Sequence, residues 1–172
     1  MSRLTHLSTI LLCISLGCSK EDLSTPEARK QATISLLEET STKIQKIFAS
    51  DEADTISILE KAGRQAPGKK PRQNAVAQDL HKHAQQLASG ESSGKSEAET
   101  LKEIALYFNI YDRTLVTMSR QAIAYSGDDP TQIKVVKKLC HACSKSQDVL
   151  VDASHRFEKI QAESGIENQK AR

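Results

Sequence analysis

From Thr25 to the last turns before Gly165, apolar residues return every third or fourth position, and no stretch shows the alternation of a half-buried strand. That period admits only helices whose apolar stripe another helix must cover. The clearest stretch opens at Ser96, where S-E-A-E supplies a capping box with Glu99. Its stripe is Leu101, Ile104, Phe108, Tyr111, Leu115, Met118, Ala122 and Tyr125. Gly127 and the SGDDP turn end it, and Asp129-Pro130 start a last helix. That helix carries Val136, Leu139, Cys140, Cys143, Leu150, Ala153, Phe157 and Ile160.

The earlier chain reads the same way. Ser24 or Thr25 caps a helix with Pro26 at its first position, where the missing N–H is not needed. Ile34, Leu37, Ile44 and Phe48 share its stripe, interrupted by small, polar Ser41. At Ser50-Asp51 the helix either breaks and is capped anew, with Ile56 and Leu59 beyond, or continues to about Gly63. The loop APGKKPR, 66–72, forbids helix, a shorter helix with Val76, Leu80, His83 and Leu87 follows, and SGESSGK, 89–95, is a linker. The last two helices should each run about 45 to 50 Å. The expected fold is all-α, an up-down bundle of four antiparallel helices over 25–163, or five if Ser50-Asp51 is a break, with a polar tail at 164–172.

Length and charge narrow the function classes. The chain has 172 residues, 24 basic and 22 acidic, so no large single-sign field steers the whole body to nucleic acid. Tryptophan is absent, and three Tyr and three Phe leave few platforms for stacking bases or sugars.

The N-terminus, MSRLTHLSTILLCISLGCSK, has a basic start at Arg3, an apolar run from Leu7 to Leu16 and small Gly17 at a cleavage position. The uncharged span, 4–19, holds 16 residues, fewer than the roughly 20 a membrane helix needs. Residues 1–17 therefore read as a signal peptide. Gly17-Cys18-Ser19 resembles the lipobox of bacterial lipoproteins, although Ser15 stands where Leu is usual. The resemblance covers about the first 20 residues. It implies diacylglycerol on Cys18, a tether at 18–24, and a place in the bacterial cell envelope facing the periplasm or exterior. The partners it implies are the membrane itself and an envelope protein that the sequence does not specify.

The stretch LCHACSK, 139–145, holds the residue types with chemical potential. Cys140 and Cys143 lie about 60° and 4.5 Å apart on the apolar side of one helix, and His141 points away. A bundle whose last helix carries C-x-x-C resembles the cytochrome c-prime group. Covalent haem wants a histidine next, and Ser144 occupies that place. Three readings remain: two small core residues, a local disulfide or redox pair, or a soft-metal site completed by His83. Export would place the pair where disulfides persist.

Other signals carry little chemistry. Gly90-Glu91-Ser92-Ser93-Gly94 spells G-x-S-x-G, but it lies in a linker rather than on a strand-to-helix turn. His81 and His83 sit about 200° apart on a helix and cannot chelate together. The basic cluster Arg64, Lys69, Lys70 and Arg72 surrounds a proline-broken loop with no interleaved aromatic and reads as solubilising, the alternative being contact with anionic lipid or an acidic partner. The leading expectation is a lipid-anchored, non-enzymatic bundle with a binding or structural role and no cofactor beyond the lipid. The alternative is a small metal, haem or thiol-redox carrier built on Cys140 and Cys143.

Overall fold

A computed structural model describes residues 22–49, 75–90 and 94–165, and these form four helices. Helix α1 spans Pro26–Ala49, α2 Ala75–Ser89, α3 Glu97–Ser126 and α4 Pro130–Glu163. The question of a break at Ser50-Asp51, and the loop 66–72, lie outside the described residues.

The termini form where the capping chemistry dictates. Thr25 resolves the first cap, its Oγ1 accepting from the Ala28 amide at 3.2 Å, with Pro26 next. At α3 the capping box is complete: the Glu99 amide donates to Ser96 Oγ and the Ser96 amide to Glu99 Oε2. Asp129 caps α4 by accepting from the amides of Thr131 and Gln132. Between α3 and α4 the chain reverses at Gly127, whose φ of 50° favours glycine. At 30 and 34 residues, α3 and α4 run about 45 and 51 Å.

Side-chain pairs fix the topology. Helix α1 packs on α2 and α4, and α3 packs on α4. Ser41 Oγ in α1 donates to the Ala77 carbonyl early in α2, while Thr33 shares a cavity with Leu87 late in α2. Those two pairs make α1 and α2 antiparallel. Gln161 reaches the Leu101 carbonyl, Gln147 reaches Asp112, and Cys140 reaches Ser119, so α3 and α4 are antiparallel too. Arg29 near the start of α1 meets the Glu163 carbonyl at the end of α4. The result is the expected up-down bundle. Its near end gathers the starts of α1 and α3 with the ends of α2 and α4, and its far end holds the α3–α4 turn.

The core is drawn from the predicted stripes, with His83 and Cys140 only half-buried at its edge. Leu37, Ile44, Leu80, Leu115, Leu139, Leu150 and Phe157 are all fully buried, and the rings of Phe108 and Phe157 meet at 5.7 Å. Burial of each such side chain contributes about 1.5 to 3 kcal/mol. Helix α1 is less apolar inside than its neighbours. Buried Thr33 and Thr40 return their hydroxyls to the carbonyls of Arg29 and Leu36, and Ser41 gives its own to α2. Ser41, which interrupts the stripe in sequence, is thus a helix–helix contact point.

Candidate functional site

The thiol pair lies where α4 faces α3. Cys143 is fully buried beside the core and Cys140 half-buried. Cys140 Sγ lies 4.0 Å from the Ser119 carbonyl oxygen, to which its S–H donates. Both cysteines are free thiols. Burial pushes both thiols above their ordinary pKa, with the Ser119 hydrogen bond acting weakly the other way. A group so held is mostly thiol at neutral pH and a poor nucleophile. His141 is exposed on the outer side of α4, as its position predicts.

His83 is elsewhere. It stacks on Tyr107 of α3, ring centroids 3.8 Å apart and planes 15° apart, and its Nδ1 lies 3.3 Å from Gln86 Oε1. Tyr107 and Ser119 are twelve residues apart on α3, about 18 Å along the axis. The structure therefore does not bring His83 to Cys140 and Cys143. Among the described residues no group of three or more His, Cys, Asp or Glu is placed to hold a metal ion.

A polar constellation that the sequence reading passed over surrounds His83 instead. Glu103 accepts from the Tyr107 hydroxyl at 2.7 Å and pairs with Lys95. Those two bonds, Lys95 first, hold the Glu103 carboxyl below its usual range. Burial, then the Glu103 carboxylate, pushes Tyr107 up to about 12. Burial pushes His83 below its ordinary value, so the imidazole is neutral at pH 7. Two cavities flank the Lys95–Glu103 pair. One, of about 300 Å³, is walled by His83, Gln86 and Tyr107. The other, of about 320 Å³, opens at the near end between Lys30, Thr33 and Leu101. Leu87, Thr100 and Ile104 line both. Such volumes are at the small end of the range for ligand pockets.

Next to the second cavity, Arg29 ties three helix ends together. Its guanidinium forms a bidentate pair with Glu97 and donates to the carbonyls of Leu23, Ser24 and Glu163. The pairing lowers the Glu97 pKa and raises that of Arg29. The signal for this hub was its position: Arg29, Thr33, Leu37, Thr40 and Ile44 follow one helical stripe, so Arg29 was bound to face inward.

No protein-family model, curated protein or solved structure matches the chain.

Proposed function

We propose that the protein is exported, acylated on Cys18, and held at a membrane of the bacterial cell envelope as a helical bundle with a binding or structural role. One observation carries the reading: the apolar run Leu7–Leu16 is followed directly by Gly17-Cys18-Ser19, only eight positions before α1 begins at Pro26. Two features support it. Among the described residues no helix is long and apolar enough to cross a membrane, so a covalent lipid supplies an anchor those helices do not. The near end of the bundle carries the start of α1, which Arg29 ties to α3 and α4, as suits a body tethered from that end. Burial of the thiols with raised pKa supports a packing role for Cys140 and Cys143.

The test is the intact mass and metal content of the protein purified from the membranes of its own host. The expected mass is a chain starting at Cys18 plus acyl groups, with release from the membrane fraction in Cys18→Ala. An unmodified Cys18, or membrane retention unchanged by its replacement, would sink the reading. A further bound species lost with Cys140→Ala and Cys143→Ala would instead favour the carrier.

A further inference from the structure

Helices α2 and α3 are neighbours that pack less closely than the others. Helix α1 packs on α2 and α4, and α3 on α4, while α2 and α3 meet chiefly through the rings of His83 and Tyr107. Both cavities, of about 320 and 300 Å³, lie along that seam and share the walls Leu87, Lys95, Thr100 and Ile104. They are two halves of one cleft. Protein interiors leave few voids larger than a water molecule, and a cleft of this size falls within the range of small-molecule sites.

The two halves differ in chemistry. The near half adds Pro26 and Leu101 to the apolar Leu87 and Ile104, and its charges are offset. Arg29 holds Glu97 in a bidentate pair, Lys95 pairs with Glu103, and Glu27 stands one turn from Lys30. The other half is walled by Lys82, His83, Gln86, Glu103 and Tyr107. Glu103 is already committed, accepting from Tyr107 and pairing with Lys95. Among the described residues Lys82 forms no ion pair, although Asp79 stands one turn before it. Gln86 engages His83 through Oε1, which leaves its amide N–H groups to donate into the cleft. The imidazole is neutral, so this half carries one cation in excess beside an apolar floor.

We propose that the cleft binds a linear alkyl carboxylate, with its chain along Leu87, Leu101 and Ile104 and its carboxylate at Lys82 and Gln86. A cationic amphiphile would have to displace Arg29, Lys95 or the Tyr107 hydroxyl from the acids they hold. Glu27, the lining acid without such a bond, belongs to the near half alone. The assignment goes beyond the anchored reading and stands whether or not Cys18 is acylated.

The experiment uses the chain from residue 18 to 172 with Cys18→Ser, free of detergent, so that neither an acyl group nor a detergent tail competes for the cleft. Failure here leaves the anchor untouched, and loss of the anchor leaves this result untouched. Titration calorimetry measures hexanoate, octanoate and decanoate, with octanol and octylammonium as the neutral and cationic counterparts. The expected result is one saturable site whose affinity rises about three- to four-fold per added methylene. Octanoate should bind about three- to five-fold more tightly than octanol, and Lys82→Gln should remove that advantage without weakening octanol. Lys102→Gln, on an exposed lysine that does not line the cleft, should change neither. Thr100→Phe, placed where the halves meet, should abolish decanoate binding, with circular dichroism melts checking the fold. Should that variant not fold, exposed Lys82 and the chain-length series decide the matter alone. Absence of saturable decanoate binding, or retention of it by a folded Thr100→Phe, overturns the proposal. So does affinity independent of chain length, which would mark a surface counter-ion. Octylammonium binding more tightly than octanoate, or equal effects of Lys82→Gln and Lys102→Gln, overturns the place given to the carboxylate.

Discussion

Ser146 is a polar residue in the wrong place for stability. It is fully buried on the core side of α4 between Cys143 and Leu150, and its hydroxyl has no hydrogen-bond partner among the described residues. Stripping such a group of water without replacing the bond costs about 1 to 3 kcal/mol. Alanine there keeps the helix and removes the polar atom at the expense of a very small void. Ser146→Ala should therefore raise stability by about 1 kcal/mol in urea unfolding, with no change in the slope. A loss of stability would mean that the hydroxyl has a partner in solution, such as a buried water. Cys143→Ala, a few residues away, removes an apolar sulfur from the core and should shift the midpoint the other way.

The elements were legible because their ends carry chemistry as specific as their stripes. Ser96 with Glu99, Asp129 with Pro130, and Gly127 between them are local signals, and each stands in the structure where the sequence puts it. What the sequence did not disclose is chemistry made between elements. His83 was on the correct stripe, but nothing local says that its ring lies on Tyr107, or that Glu103 links that tyrosine to Lys95. Pairing it with the thiols failed for the same reason: stripe position gives the side of a helix, and register comes only from packing. Arg29 shows the complement, a polar residue whose inward direction was readable and whose partners from α3 and α4 were not. Because the α3 cap also sets where Glu97 meets Arg29, its loss is felt beyond one turn. Ser96→Ala should cost about 1 kcal/mol in urea unfolding, and Ser96→Asp should recover most of it. An unchanged midpoint for Ser96→Ala would mean that α3 is started by its tertiary contacts alone.

At the scale of the molecule, the helices are joined by apolar burial along their length and by a few ionic ties. Glu39 in α1 takes Lys43 from its own helix and Arg156 from α4, and its carboxyl is held down to about 2 by Arg156 first and Lys43 second. Glu97 ties α3 to α1 through Arg29 and is shifted the same way. A carboxylate whose pKa is lower in the folded state stabilises it above the unfolded value, near 4.5, and that contribution fades as the pH falls toward the folded value. His83 acts in a higher window. Burial lowers its pKa below 6.5, so the unfolded chain takes up a proton first and stability falls as the pH drops through that value. Thermal unfolding should therefore be flat near neutrality, decline gently below about pH 6.5, and decline again below about pH 4.5. The two declines have different owners. His83→Gln should remove the first and leave the second, whereas Glu39→Gln should lower the plateau, since solvent screens but does not abolish the pair with Arg156, and flatten part of the second. A wild-type profile without the upper decline, or one that His83→Gln leaves in place, would show that His83 does not stay shielded between α2 and α3 in solution. The seam between those two helices would then open to water at neutral pH, and both cavities that meet at Leu87 and Ile104 would open with it.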